Sequence, residues 1–257
     1  MINFSGVVIG INELDEKGRF LKILTEKRGV LEIFSRGAKK PTSKNNPSTE
    51  LFAYAEFCVN DQSGRLYLDS SKPLHIFEYL RTDLKALSLA VYCAEILLFC
   101  SETHCDDKCS SNPEILHLML RTLHYIDSGK RSLPLCKSVF ELRLCSLIGF
   151  MPALIGCREC LKYDGDNNEM YFLAKSGILM CEQCFDENFT ETDTDFILSP
   201  ALLHTIRHIC LSDNEKYFAF KISEKIQNEL SLISETYLFL HMNLYKNFKP
   251  LLYYNSL

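Results

Sequence analysis

The residues whose spacing carries the clearest chemistry are two C-x2-C pairs, Cys157-Arg-Glu-Cys160 and Cys181-Glu-Gln-Cys184, separated by 20 residues. A C-x2-C turn brings two thiolates to one side of a tight knuckle. Two knuckles offer four soft ligands at tetrahedral corners, which suits Zn2+. With all four positions cysteine there is no open coordination site, so the expectation is one structural Zn2+ whose binding energy helps fold a module too small to bury its own core. The competing readings are four unrelated thiols, a redox pair or an iron–sulfur cluster. The other eight cysteines contain no further C-x2-C, which favours a single dedicated metal site.

A second kind of chemistry lies near the N-terminus. From Lys17 to Lys44 there are nine basic residues against two acidic ones, Glu26 and Glu32, a local +7 in a chain whose net charge is −5. Such asymmetry suits one surface made for a polyanion and a remainder kept soluble by repulsion. Arg36, Lys39, Lys40 and Lys44 close one strand and open a loop, and Lys27 and Arg28 sit in a turn just before it. Phosphate binding needs cations on a surface that tracks a backbone, and a small barrel with a basic loop is one such arrangement. The aromatics nearby, Phe20, Phe34, Phe52 and Tyr54, could stack bases but read better as barrel core.

Other groups point to packing. Cys93, Cys100, Cys145 and Cys210 fall on apolar helical faces, where free cysteine behaves as a small hydrophobe. His104, Cys105 and Cys109 share a polar connector but lack a fourth ligand, and His204 and His208, although i and i+4, lack a carboxylate or cysteine partner. Glu141, among apolar helical neighbours, reads as the anchor of a buried hydrogen-bond or ion-pair network. There is no G-x-x-x-x-G-K-[ST] phosphate loop, G-x-S-x-G elbow, H-E-x-x-H, or H-x-E paired with P-C-x-x-C, so no enzyme is expected.

The elements that must position these residues follow from periodicity. Val7 to Ile11, Phe20 to Thr25, Val30 to Ser35, Ala53 to Val59 and Arg65 to Asp69 are short β-type runs parted by glycine-containing turns. Five strands at close spacing without a helix predict a small closed barrel or a sandwich, and a five-stranded barrel would remove the exposed edges that such short strands leave. Ala38 to Thr49 reads as a long mobile loop. After Pro73, Leu74, Phe77, Leu80, Leu84, Leu87, Val91, Ala94 and Leu98 recur at three- and four-residue intervals and predict helix. Further helices are expected from Pro113 to Gly129, from about Leu135 to Leu147, from Ser199-Pro200 to about Leu211, and finally within Glu215 to Met242; a small hairpin, Met170 to Leu173 with Gly177 to Met180, lies between the cysteine pairs.

With 257 residues, 47% hydrophobic and 24% charged, the composition is that of a globular chain, which excludes collagenous and wholly disordered classes. The apolar run Leu87 to Cys100 contains Ser88 and Glu95 and is too short for a membrane span, and Met1 to Asn12 lacks a basic lead-in and cleavage site. A cytoplasmic protein without a membrane partner is expected, and in that compartment twelve cysteines are not a disulfide scaffold.

Several ordered segments also resemble a known family. Gly6-Val-Val-Ile-Gly10, Thr25-Glu-Lys-Arg-Gly29 and Arg36-Gly-Ala-Lys-Lys-Pro-Thr-Ser-Lys44 are similar to the N-terminal domain of the RecO family of DNA repair and recombination mediators. Phe140-Glu-Leu-Arg-Leu144, Leu147-Ile-Gly-Phe-Met-Pro152 and Cys157-x2-Cys160 follow in that family's order and spacing. The resemblance implies an α+β multi-domain chain: an N-terminal five-stranded OB-fold barrel over residues 1–75, then an all-α domain over 76–257 with a four-cysteine zinc ribbon inserted at 155–187. It implies a non-enzymatic function, binding single- and double-stranded DNA, annealing complementary strands and, with RecR, helping the RecA recombinase displace single-stranded DNA-binding protein. By motif position it assigns phosphate contact to Arg36, Lys39, Lys40 and Lys44, with Lys27 and Arg28 as further candidates. The rival reading is a zinc-ribbon protein–protein adaptor that does not touch DNA.

Overall fold

The protein is described by a computed structural model covering residues 1–14, 18–36, 47–103, 112–163, 169–188, 192, 194–213, 216–244 and 248–256. The chain forms two compact units, Met1–Arg131 with Lys249–Leu257, and Ser132–Phe248.

Unit 1 is built on five strands, β1 (Ile2–Leu14), β2 (Gly18–Thr25), β3 (Gly29–Arg36), β4 (Tyr54–Gln62) and β5 (Arg65–His75). They close in the order β1-β2-β3-β5-β4. β1 pairs antiparallel with β4, from Ile2 opposite Val59, and the ring is completed by a short parallel contact in which Ile33 faces Leu66 and Phe34 faces Tyr67. Of the barrel and the sandwich that the spacing allowed, the chain forms the barrel, OB-like as the resemblance implies, with every strand longer than its apolar run. Closure explains the alternation: Val8, Leu21, Ile23, Ile33, Ala55, Phe57 and Val59 fill the interior, while residues one step away face outward. Ser63 and Gly64, both at positive φ, make the two-residue turn between β4 and β5 whose twist matches the hairpin, and the Asp61 carboxylate accepts the Gly64 N–H at 2.9 Å.

The helical period beginning at Leu74 is overridden at its start. β5 continues to His75, paired with Tyr54, a 3-10 turn follows at Tyr79–Arg81, and α1 (Leu84–Thr103) begins only where the Asp83 carboxylate accepts the Ala86 N–H at 2.7 Å. Ladder hydrogen bonds to β4 outcompete a helix whose first turns would be uncapped. α2 (Pro113–Ser128) is capped by Asn112 and stopped by Gly129 in the left-handed region, and α7 (Lys249–Ser256) returns to pack on α1. By length and composition Leu84–Glu102 is apolar enough to cross a membrane, a longer stretch than the Leu87 to Cys100 run; 56% of it is buried, and within unit 1 it packs on β1, α2 and α7.

Unit 2 comprises α3 (Leu133–Leu147), β6 (Ala153–Cys157), β7 (Met170–Leu173), β8 (Ile178–Cys181), α4 (Glu182–Asn188), β9 (Asp195–Leu198), α5 (Pro200–Leu211) and α6 (Glu224–Met242). The expected hairpin is the centre of a four-stranded sheet of order β6-β8-β7-β9. α6 starts later than Glu215, at the Ser223 cap, because residues 216–218 form a turn, and it is not the last helix. α3 is buried on nearly all sides and carries the network expected of Glu141: Lys137 Nζ lies 2.8 Å from Glu141 and 2.7 Å from Glu235, and the Ser234 hydroxyl donates to Glu141 at 2.6 Å. Arg143, next on this helix, donates to the Cys210 carbonyl at 2.8 Å and closes the C-terminal end of α5. Cys93, Cys100, Cys145 and Cys210 are all buried, as expected.

Candidate metal centre and candidate nucleic-acid interface

In unit 2 the four cysteines of the two C-x2-C pairs converge. Cys157 ends β6, Cys160 closes the turn that follows, Cys181 ends β8 and Cys184 lies in the first turn of α4. All four sulfurs lie within 4.8 Å of one another, and the Sγ atoms of Cys160 and Cys181 are 3.6 Å apart. A tetrahedral ion with metal–sulfur bonds of about 2.3 Å requires sulfurs about 3.8 Å apart, so the donor set fits such an ion. The knuckle is shaped by backbone: the Cys157 N–H donates to the Lys162 carbonyl at 2.8 Å and the Leu161 N–H to the Cys157 carbonyl at 3.0 Å. Leu161 takes a positive φ, and Gly156 must be glycine because a Cβ there would lie 2.6 Å from the Lys162 carbonyl oxygen.

The thiols are unevenly poised. Burial pushes the Cys157 thiol up, but backbone N–H groups of Cys160, Cys181 and Glu159 outweigh it and bring it down to about 6. Burial raises Cys181, and hydrogen bonding to the Cys181 side chain raises Cys184. Sulfurs this close repel one another as thiolates, and a divalent cation removes that conflict. Behind the knuckle, the buried Arg207 of α5 donates from Nε to the Leu154 carbonyl and from Nη2 to the Tyr163 carbonyl, both at 2.8 Å, with its guanidinium 3.9 Å from the centre of the Tyr163 ring. It pins both flanks of the Cys157–Cys160 turn to one helix.

In unit 1 the outer face of β2, β3 and β5 forms a groove of about 550 Å3 lined by Leu14, Phe20, Glu32, Phe34, Arg36 and Tyr67, with Arg65 and Leu66 at the β4–β5 end. Barrels of this topology bind oligonucleotides on the strand 2–3 face and the loops beside it.

Comparison with known proteins gives two adjoining matches. Residues 1–77 match the family model for the N-terminal domain of recombination protein O, and residues 81–247 match the model for its C-terminal domain. The chain belongs to the recombination protein O family. It is 27% identical over 227 residues to a protein of Dehalococcoides mccartyi named DNA repair protein RecO, covering 88% of this chain and 85% of the relative. Proteins of the same name from Acetivibrio thermocellus (27% over 235 residues; 91% and 89% covered) and Bacillus subtilis (22% over 247 residues; 96% and 92% covered) align over similar spans. Membership in this RecO family gives the chain a role in DNA repair and recombination.

Within this RecO chain the structure brings the four predicted metal ligands together, whereas the three described members of the predicted basic set stand at the two ends of one hairpin. Arg36 lies at one end of the β2–β3 hairpin, opposite Gly18, and Lys27 and Arg28 are in the turn at the other end, beyond the Thr25–Gly29 pair. All three are exposed. Lys39, Lys40 and Lys44, the expected loop as far as Asn46, and the group His104, Cys105 and Cys109 lie outside the described residues; the end of that loop, Pro47–Thr49, is a 3-10 turn with Ser48 and Thr49 buried rather than mobile chain. His208 contacts the Lys216 carbonyl and the Ser212 hydroxyl, and His204 is exposed.

The reading of the aromatics as core holds for Phe52 only. Phe20, Phe34 and Tyr54 are half-buried, because strand alternation gives the interior to Leu21, Ile33 and Ala55 instead. The sequence reading missed Arg65 and Tyr67, and the parity of β5 against the buried positions of β3 was the signal that could have placed them.

Proposed function

We propose that this chain is a non-enzymatic recombination mediator that binds single- and double-stranded DNA, anneals complementary strands and assists recombinase loading onto DNA coated by single-stranded DNA-binding protein, with RecR as partner. In this reading residues 1–75 are the DNA-binding domain, residues 76–257 form a helical domain with the ribbon at 155–187, and the protein works in the cytoplasm at the nucleoid. The observation that carries it is the barrel face: an open groove on β2 and β3 with Arg36 at its edge, in a chain whose basic residues are concentrated between Lys17 and Lys44. Annealing requires no nucleophile or general base. It requires cations that release counterions from two strands while leaving base edges free to pair. Arg36, Lys39, Lys40 and Lys44, with Lys27 and Arg28, are assigned to phosphate contact.

The ion assigned to Cys157, Cys160, Cys181 and Cys184 is one structural Zn2+, which four thiolates suit best. It holds the ribbon and takes no part in any reaction. The test is strand annealing of two complementary oligonucleotides by the purified protein without nucleotide, at low and moderate salt, alongside zinc quantitation. Acceleration that weakens with salt, with one zinc per chain, is the expected result. No acceleration from zinc-loaded protein overturns the mediator reading in favour of a protein–protein adaptor.

A further inference from the structure

The outer face of the barrel carries three rings that its interior does not need. Leu21, Ile23 and Ile33 already fill the core from β2 and β3, so Phe20 and Phe34 point the other way, and the parallel seam sets Tyr67 beside Phe34. The Phe20 and Phe34 centroids are 5.1 Å apart, and those of Phe34 and Tyr67 are 5.9 Å apart. Leu14, 44% exposed, extends the row along the same groove. A contiguous apolar strip on the outside of a filled barrel marks a binding surface.

The rim says what kind. The Arg36 guanidinium lies over the Tyr67 ring, 5.0 Å from its centre. Arg65 is exposed at the other end of the groove. Among the described residues neither arginine has an ion-pair partner, and Glu32 is the one carboxylate lining the groove. An apolar protein anchor would fit the rings yet leave both guanidiniums uncompensated. A chain of phosphates carrying flat bases satisfies both features at once.

We infer that Phe20 and Phe34 are a stacking platform for the unpaired bases of a single strand, with Arg36 and Arg65 taking the phosphates beside it. Tyr67 is a positioning residue: its ring holds the Arg36 guanidinium at the rim. This rests on the DNA-binding reading and deepens it by assigning strand preference to particular side chains. A duplex keeps its base faces stacked inside, whereas a single strand offers them, and ring-to-base stacking is indifferent to sequence because every base has a π face.

The experiment uses the full-length, zinc-loaded protein with an oligothymidylate and a duplex of equal length. Phe20→Leu with Phe34→Leu keeps apolar bulk and removes the π faces. Single-strand affinity should fall roughly 5- to 150-fold for each stacked base lost, with duplex affinity and the melting curve unchanged. In parallel, Tyr67→Trp introduces the chain's only tryptophan, which keeps an aromatic ring under Arg36. Its fluorescence should be quenched by the oligothymidylate and not by the duplex.

Equal losses for single strand and duplex, no loss for either, or equal quenching by both would overturn the platform. Arg36→Ala separates this failure from that of the broader reading. If it weakens binding while the leucine variants bind like the parent, the DNA-binding surface stands and the platform falls. If Arg36→Ala combined with Lys27→Ala and Arg28→Ala binds both probes as the parent does, the broader reading falls and takes the platform with it.

Discussion

Arg36 and the pair Lys27 and Arg28 lie at opposite ends of one hairpin, and that separation fixes how their contributions to DNA binding must combine. From Gly29 to Arg36 there are seven residue steps, which at about 3.4 Å each puts the two groups about 24 Å apart. The screening length at moderate salt is about 8–10 Å, so the ends act independently. Each phosphate contact to a single strand contributes about 0.7 to the slope of log affinity against log salt. Arg36→Ala should therefore lower the slope by about 0.7, Lys27→Ala with Arg28→Ala by about 1.4, and the triple variant by about 2.1. Between 50 and 200 mM salt the parent should lose about 2.6-, 7- and 18-fold more affinity than the respective variants. Fluorescence anisotropy with a labelled single strand across that range reads both quantities. A triple variant with the parent's slope, or losses that fail to add, would refute the assignment of these three cations to phosphates.

Three further expectations follow from unit 2. Cys160→Ser, or a strong chelator, should release the metal and unfold the ribbon while the barrel survives, seen as lost hydrogen-exchange protection in peptides spanning Ala153 to Leu198 but not in those spanning Ile2 to His75; joint melting of both would contradict it. Arg207→Ala removes charge-assisted hydrogen bonds to the carbonyls of Leu154 and Tyr163 and should destabilise the knuckle by about 1.5–3 kcal/mol, measured as faster zinc release to a chromogenic chelator. Lys137→Met strands Glu141, which is fully buried, and should cost about 3–5 kcal/mol, most of it regained by adding Glu141→Gln; urea unfolding followed by exchange in α3 and α6 is the readout. For the parent, burial pushes Lys137 down but Glu141 and Glu235 outweigh it, so its pKa rises above the ordinary 10.5. Its stabilisation is therefore complete below 10.5 and is lost only as pH climbs through the raised folded value, leaving this contribution flat near neutrality.

The four-cysteine cluster was legible because its signal is local: two knuckles with fixed spacing converge whatever the rest of the chain does, and all four sulfurs meet. The barrel was legible because five β-type runs at close spacing leave few other ways to remove edges. What the sequence hid depends on pairing partners. Tyr67 gains its meaning from lying opposite Phe34 across a parallel seam, a contact between strands far apart in the chain, and Phe20 and Phe34 looked like core because apolar type, not parity, was read. The helix from Leu74 failed for a related reason: its apolar residues keep a helical period, but strand β4 offered hydrogen bonds that the period alone does not reveal. β6 and β9, no shorter than β7 and β8, were missed because each pairs with a strand that is not its neighbour in the chain and so has no adjacent turn to mark it.

The path of the chain also sets an order of events during synthesis. Leu251 and Tyr254 of α7 are buried in unit 1, and Lys85 of α1 lies over the Tyr254 ring, yet all of Ser132–Phe248 is made between these two helices. At roughly 5–20 residues per second, α1 waits on the order of ten seconds for α7 to reach it. Throughout that interval α1, the most apolar helix among the described residues, presents its uncovered flank to the ribosome exit and to every other nascent chain nearby. A message truncated before Lys249 would leave that flank bare for good, so the damage from a late nonsense mutation falls on the half of the protein that was translated first.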